Sequence, residues 1–479
     1  MRARTVALPL AALCACAPAP RYEPPPGPAP SAWRDTSVLR ATTSAESPWW
    51  LIYRDSTLGR LVRTALARNT NLGVSLERVS EARALLAEAR GAQLPTLGVS
   101  GSVYHSHVRV SEGGAIENAT SDLVEADASA SWEADIFGYQ RNAARSAAAS
   151  LQAAEERRRG VALLIVASVA SAYVDLQADD QQLQILQRAL EARQAYLETT
   201  RRRFDSAASA ELDWRQAQSL YESAHEQIID LQEASQETEN ALSVLAGQAP
   251  GTIRRSGAPG DQLLAAVPAG LPSDLVVRRP DVLAAERELA AAGADVAAAK
   301  AELFPRLTLS ADLEYTRQPG TSTSVQGISM NTPAATTLTW VAAATLSQPL
   351  FMGGQLLAQV RAADSRRRQA LVAYQGTVLG ALQEAEDQLA ALKFAGDRRT
   401  SADSQVVYGQ ATLRSAEQRY RAGTSPFLEV VDAQRTLLTA DLGAVAARVR
   451  QADAVIGLYK ALGGGWQTDS AAAREPAPR

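Results

Sequence analysis

The chain has 479 residues, 46% hydrophobic and 21% charged, with a formal net charge of -4. That composition suits folded protein, and the length allows several domains or one elongated one. Basic and acidic residues nearly balance, 48 against 52, so there is no electrostatic footprint for nucleic acid and none is expected as a partner.

Residues 1–15 read as a secretory signal: two early arginines, an apolar run, then small residues. The end of this segment, "LCAC", resembles a bacterial lipobox. Leu13 lies three before Cys16 and Ala15 just before it, which makes Cys16 the expected lipidated N-terminus. Cys14 fits worse, because bulky Leu13 would sit at its cleavage position. Cleavage without lipid is the plainer alternative. Both cysteines lie in this segment, so a mature chain lipidated at Cys16 has no disulfide. Residues 16–50, with "APAPRYEPPPGPAPSAW", read as a Pro-rich tether. Beyond the leader, the most apolar stretch is "VALLIVASVASAYV" (161–174). It is shorter than the ~20 residues of a membrane-spanning helix, so none is expected.

The remainder is a tandem repeat. "RRFDSAASAELDWRQAQSL" (202–220) aligns with "QRYRAGTSPFLEVVDAQRTL" (418–437), pairing Phe204 with Tyr420 and Leu212 with Leu428. "ARGAQLPTLGVSG" (89–101) aligns with "AKAELFPRLTLSA" (299–311), and "DIFGYQ" (135–140) resembles "PLFMGGQ" (349–355). Repeat 1 spans 51–250 and repeat 2 spans 271–465, with a linker at 251–270 and a tail at 466–479. Each repeat reads as a helix, a proline, two strands and two long helices. In repeat 1 the strands fall at about 96–110 and 122–136, and the helices at about 137–204 and 209–246. In repeat 2 the strands fall at about 306–317 and 336–350, and the helices at about 353–421 and 426–462. The helices are rich in Ala, Gln, Glu, Leu and Arg and free of internal proline. Leu428, Val431, Arg435, Leu438, Leu442, Val445, Val449, Ala452, Ile456 and Tyr459 step by threes and fours. That is a coiled-coil seam in which only Arg435 is not apolar.

The strands alternate. Val124, Ala126, Ala128, Ala130, Trp132, Ala134 and Ile136 share one face, against Glu125, Asp127, Ser129, Ser131, Glu133 and Asp135. Residues 306–316 and 337–350 repeat the pattern, and 96–108 shows it most weakly. A half-buried sheet on a soluble core would also alternate. Here no obvious globular core accompanies the strands, and their length matches membrane-barrel strands with an apolar outside and a polar inside. Trp132, Phe137, Tyr315, Trp340 and Phe351 sit where an aromatic girdle would. Four strands cannot close a barrel, so copies must share one: two give eight strands, three give twelve and room for a pore.

"LPSDLVVRRPDVLAAERELAAAGADVAAAKAELFPRLTLS" (271–310), "QRYRAGTSPFLEVVDAQRTL" and "CAPAPRYEPPP" resemble the TolC-like outer-membrane efflux proteins, in the lipoprotein branch that serves resistance-nodulation-division pumps. The resemblance covers essentially all of the mature chain. It implies a homotrimer with a 12-stranded β-barrel in outer-membrane lipid, a 12-helix periplasmic tunnel and a mixed equatorial belt. It also implies a periplasmic adaptor and an inner-membrane pump as partners, and drugs or other small toxic compounds as cargo. The two helical hairpins of each chain would supply six tips to the tunnel's end. At matching positions the family holds that end shut with an aspartate, arginines, a tyrosine and a leucine, which assigns a periplasmic gate to Asp432, Arg435, Arg419, Tyr420 and Leu428. Asp432 and Arg435 are three apart on a helix and can pair locally; a mere surface ion pair is the alternative.

The residues contain no catalytic constellation, so no enzyme and no cofactor is expected. His105-x-His107 reads as a solvated face, not a metal site. "LFMGGQ" lacks the Lys-Ser/Thr of a phosphate loop and suits a strand-to-helix bend. Two other functions remain open: an outer-membrane channel for type I protein secretion, and a lipid-anchored periplasmic coiled-coil scaffold without a pore.

Overall fold

The computed structural model describes residues 32–34, 49–112, 115–255, 278–320, 322–325, 328–331 and 333–464. Cys16, the leader, nearly all of the tether, most of the 251–270 linker and the 466–479 tail lie outside them.

A 3-10 turn at Trp49–Tyr53 leads into α1 (Ser56–Arg68) and α2 (Thr70–Gly91). Strands β1 (Thr96–Glu112) and β2 (Ala115–Ala134) follow, then α3 (Tyr139–Asp205) and α4 (Glu211–Leu245). The second repeat gives α5 (Pro280–Ala301), β3 (Arg306–Gln318), β4 (Ser322–Val325), β5 (Ile328–Asn331), β6 (Ala335–Ser347), α6 (Gln355–Arg421) and α7 (Phe427–Ala461). α3 and α6 are both 67 residues long, and α4 and α7 are both 35, so the duplication is preserved to the residue in the hairpins.

The described chain forms two compact units. One comprises Ser80–Gln152 and Glu286–Val372. It is built on an antiparallel sheet with β1, β2, β3 and β6 side by side. β4 and β5 continue the β3–β6 hairpin beyond Pro319 and Pro333, with β4 pairing the start of β2. The register aligns like with like across all four long strands. Val99, Ala128, Leu313 and Trp340 form one row, and Gly101, Ala126, Tyr315 and Leu338 the next on the same face. Ser100, Asp127, Glu314 and Thr339 form a row of the opposite parity. A one-residue slip would mix the faces, so the pattern itself fixes the register. Leu97, Val99, Leu338 and Trp340 are more than 60% exposed, far more than a soluble sheet leaves to water. At the foot of the sheet Phe137 stacks on Phe304 at 4.9 Å, and the Trp132 indole N–H donates to the Gln93 carbonyl at 2.9 Å. "MGG" is the bend between β6 and α6: Gly353 and Gly354 have φ of 60° and 83°.

The other unit holds the remaining described residues. Its core gathers Trp49, Leu58, Val62, Val166, Tyr173, Leu176, Val378, Leu389, Val455 and Leu458. Trp49 is stacked on Tyr459 at 5.5 Å. The apolar part of α3 runs further than the 161–174 stretch. One 18-residue window of α3 is apolar enough to cross a membrane by length and composition, contrary to the sequence reading, but 61% of it is buried inside the chain. Its hydrophobicity is used in helix packing.

The two repeats close their helical hairpins with the same joints. Asn69 caps α2, accepting from the Asn71 and Leu72 N–H groups, and its amide donates to the Leu245 carbonyl at 2.8 Å. At the matching joint Arg279 donates to the Ala461 carbonyl at 2.8 Å. There the neutral amide has become an ion cluster. Arg279 grips Asp281 with two bonds of 3.0 and 2.7 Å and also meets Glu384 at 2.8 Å, while Lys460 reaches the other Glu384 oxygen at 2.8 Å. The paired charges keep the Glu384 and Asp281 carboxyls below the usual range despite burial. This explains "RRPD": the arginine clamps, the proline opens α5, and the aspartate holds the clamp.

All four long-hairpin helix ends carry the two hydrogen bonds of a Schellman turn. At the hairpin tips these are Ala208 N–H to Arg203 O with Ala207 N–H to Phe204 O, and Thr424 N–H to Arg419 O with Gly423 N–H to Tyr420 O. The left-handed residue is Gly423 at φ 72° in one tip and Ala207 at φ 55° in the other. An alanine there is strained by about 1 kcal/mol. Ala207→Gly should therefore slow hydrogen exchange at the first tip by roughly fivefold, the factor for ~1 kcal/mol of relief. Gly247 also has positive φ, and a Cβ there would lie 2.3 Å from the Arg68 carbonyl oxygen. Gly247→Ala should lower the midpoint of thermal unfolding more than Gly423→Ala, where a Cβ meets open space. Equal effects of the two would contradict the joint geometry.

Candidate functional site

The hairpin tips of the two repeats meet in one apolar cluster within the helical unit. Ala217 and Leu220 of α4 pack with Ala416 of α6 and with Phe427, Val430, Val431 and Ala433 of α7, edged by Tyr196, Leu197, Leu413 and Tyr420. Polar ties cross the cluster. The Tyr196 hydroxyl donates to Glu417 at 2.6 Å, and the Arg203 guanidinium lies 5.0 Å over the Tyr420 ring. Arg193, only 4% exposed, donates to the Leu220 carbonyl at 2.9 Å. Burial and the nearby Arg435 charge both push the Arg193 pKa down.

The five tip residues singled out from sequence are distributed differently from the expected local pairing. Arg419 binds Glu429 across the turn, at 3.2 and 3.3 Å. Asp432 and Arg435 are both exposed, and among the described residues neither has an ion-pair or side-chain hydrogen-bond partner, so they do not pair with each other. Arg435 does not lie on a buried seam either. α7 buries Val430, Val431, Ala433, Gln434 and Leu438 around it and leaves Arg435 in the open beside Arg193. Leu428 and its counterpart Leu212 are 49% and 63% exposed. Tyr420 has its hydroxyl buried without a partner among the described residues.

Sequence reasoning missed Glu429, Glu417, Tyr196 and Arg203, whose roles depend on contacts across turns and between repeats. It also missed a difference between the tips. Trp214 lies between Arg201 and Arg215, at 4.4 and 4.2 Å from its ring, and stacks on Phe204. The matching residues of repeat 2, Val430 and Val431, are buried. The mismatch was visible in the alignment as Trp-Arg against Val-Val.

On the sheet, Glu125, Asp127 and Glu314 place carboxylate oxygens within 4.8 Å of one another. Ser102 and Ser100 donate to Glu125 and Asp127 at 3.2 and 3.5 Å. His105 is paired with Asp122 at 2.5 Å and His107 contacts Thr120 at 3.0 Å, so the two histidines engage separate neighbours on β2.

Residues 61–248 and 271–464 each match the sequence model for outer membrane efflux proteins, one match per repeat. The chain is 32% identical over 454 residues to the pyoverdine export outer membrane protein OpmQ of Pseudomonas putida, covering 93% of this chain and 94% of the relative. It is 30% identical over 463 residues to the toluene efflux pump outer membrane protein TtgC of Pseudomonas putida, covering 95% and 94%. The solved structure of the outer-membrane channel OprN superposes with a TM-score of 0.81 at 29% identity, over 94% of this chain and 99% of that one. A duplicated pair of strands and long helical hairpin, an apolar sheet face, and a match to both repeats lead to one conclusion: the chain belongs to the outer membrane efflux protein family.

Proposed function

We propose that three copies of the chain form one conduit through the outer membrane and periplasm, and that it passes drugs or other small toxic compounds outward from a resistance-nodulation-division pump of the inner membrane by way of a periplasmic adaptor. The observation that carries this reading is the sheet of four long strands, β1, β2, β3 and β6. It has one continuous apolar face, and among the described residues no strand pairs the outer edges of β1 and β6. In lipid each unpaired backbone group costs several kcal/mol, so the edges must be paired by other copies. Three copies give twelve strands and a passage; two give eight and a lumen filled by side chains. Small cargo is supported by relatives named for pyoverdine export and toluene efflux. Cys16 carries lipid and adds a second attachment to the outer membrane.

The periplasmic end is held shut at the tips. Among the described residues Asp432 and Arg435 lack side-chain partners, and Arg435 stands beside the buried cation of Arg193. A carboxylate from a neighbouring copy relieves both charges, and Asp432 is the exposed carboxylate at that height of α7. Leu428 and Leu212, three of each, form the apolar rim, with Arg419 and Tyr420 fixing the second turn.

Assembly tests the sheet. Leu309 shares its row with Trp132 and Ala344, and Thr308 with Glu133 and Thr345. An arginine on the lipid face costs roughly 2–4 kcal/mol at the bilayer midplane. Leu309→Arg should lose heat-resistant trimer on gels while Thr308→Arg keeps it. Cys16→Ser should keep the trimer and lose incorporated palmitate. Equal tolerance of the two arginines, or label persisting on the Cys16 variant, would contradict these assignments.

The gate is tested by single-channel current in planar bilayers. Asp432→Ala should raise the current at low voltage by at least about fivefold, the factor for one ~1 kcal/mol pair. Asp230→Ala, an exposed acid farther along α4, should not. Glu429→Ala also loosens the tip, because it frees Arg419. Asp432→Ala conducting no better than Asp230→Ala would place the gate elsewhere. Cells lacking the chain should become sensitive to small toxic compounds; loss of a secreted polypeptide instead would indicate protein secretion.

A further inference from the structure

The apolar face of the sheet changes character at one level. β1 pairs with β2 from Thr96–Ser131 to Glu112–Ala115 without a bulge, so every second residue keeps to one face along the whole hairpin. The apolar rows begin at the foot, where the strands run into the helices, with Ala134, Leu307 and Leu346. They end with Val103 and Val124, which share their row with Arg317 and Thr336. From Ala134 to Val124 the strand runs ~33 Å, which is about 25 Å of height at the ~40° tilt of a membrane barrel and matches its apolar band.

Past that row the two faces exchange polarity. The formerly apolar face now carries His105, Asp122, His107, Thr120 and Arg109, and the opposite face carries Tyr104, Leu123 and Val108. Side-chain contacts agree with this facing: His105 Nδ1 lies 2.5 Å from Asp122 and His107 Nδ1 lies 3.0 Å from Thr120. A lipid-facing wall with this pattern leaves hydrocarbon between the Val103 row and the His105 row.

Basic residues are neutralised at the foot and not at the far end. At the foot Arg141 meets Asp135 at 3.2 Å and Arg306 meets Glu302 at 3.4 Å. At the far end Asp122 is the one acid among the described residues of that face, and His105 already engages it. Arg109 and Arg317 are exposed, and among the described residues neither has a side-chain partner. Arg317 stands in the last apolar row, where a guanidinium is costly in hydrocarbon; its long side chain relieves that cost by reaching along the sheet toward the headgroups.

We propose that Arg109 and Arg317, with His105 and His107 at the levels between them, hold phosphate-bearing lipid headgroups against the outward face of the sheet. The proposal rests on the reading of the sheet as a barrel wall in the outer membrane with its helices on the periplasmic side, which makes the far end the exterior one and the lipid that of the outer leaflet. Guanidinium forks grip phosphate oxygens with two parallel hydrogen bonds. Two observations select a lipid headgroup as the occupant. The basic residues continue the lipid-facing rows upward without a break in register, and two guanidiniums per copy lack an acid at the height where headgroups begin. In a ring of copies the sites recur around the wall and anchor it where the apolar rows stop.

The test is binding of bisphosphorylated lipid A to the purified full-length complex in neutral maltoside detergent, counted by native mass spectrometry. Dephosphorylated lipid A, with the same acyl chains, and inorganic phosphate serve as comparisons. The wild-type complex should retain lipid A and bind each comparison at least about tenfold more weakly. Arg109→Gln with Arg317→Gln should assemble as the wild type does and bind lipid A about thirtyfold more weakly, the factor for two basic residues near an anionic membrane surface. Arg202→Gln, exposed at a hairpin tip, should bind as the wild type does. An assembled complex that binds the two lipids equally, one that binds inorganic phosphate as tightly as lipid A, or a double variant that retains lipid A like the wild type would each overturn the proposal and leave the conduit standing. A particle of one chain would overturn the conduit, and this proposal with it.

Discussion

A β-strand lying against lipid must have both of its edges hydrogen-bonded, because hydrocarbon offers no substitute for water as a partner. The rest of this molecule follows from that requirement. One chain contributes four long strands whose two outer edges have no strand partner among the described residues. Pairing those edges through further copies turns a sheet with one apolar face into a closed wall, and each copy brings two helical hairpins with it. The duplication then has a physical purpose. Equal hairpins of 67 and 35 residues can be set around one axis only if their turns and joints superimpose.

What the repeats share is backbone geometry, and where they differ is side-chain chemistry. The joint uses Asn69 in one repeat and the Arg279–Asp281–Glu384–Lys460 cluster in the other, yet both donate to the carbonyl at the end of the returning helix. The tip turn uses Ala207 in one and Gly423 in the other, with the same pair of hydrogen bonds. Trp214, beside two arginines, is half-buried where Val430 and Val431 are fully packed. A ring built from such tips alternates in charge and in apolar character while keeping one shape. That alternation allows neighbouring tips to be complementary where identical ones would only repeat each other.

Much of the fold was legible in the sequence because its strongest signals are periodic. Alternation over 124–136 and 306–316 reports a sheet with unlike faces, and the register shows those residues side by side. Long proline-free runs report the helices. The site was less legible. Helical spacing suggested that Asp432 would pair with Arg435, but spacing says nothing of what lies across a turn, where Glu429 takes Arg419. The apparent seam through Arg435 follows one stripe of α7, whereas α7 packs on a broader face and leaves that arginine exposed. Tyr196 and Arg203 belong to the tip through contacts between repeats some 220 residues apart, and Arg193 through its bond to Leu220 across its own hairpin, which no local pattern encodes. The apolar window of α3 misleads in the opposite direction: its composition fits a membrane, and packing within the chain accounts for it.

The account rests on closure of the sheet by neighbouring copies. The most direct test is the mass of the detergent-solubilised complex by native mass spectrometry, with bound detergent stripped in the gas phase. Three chains per particle, with no stable single chain, is the result expected of twelve strands around a passage. A particle of one chain would mean that the edges of β1 and β6 are paired in some other way, and the conduit as described would not exist.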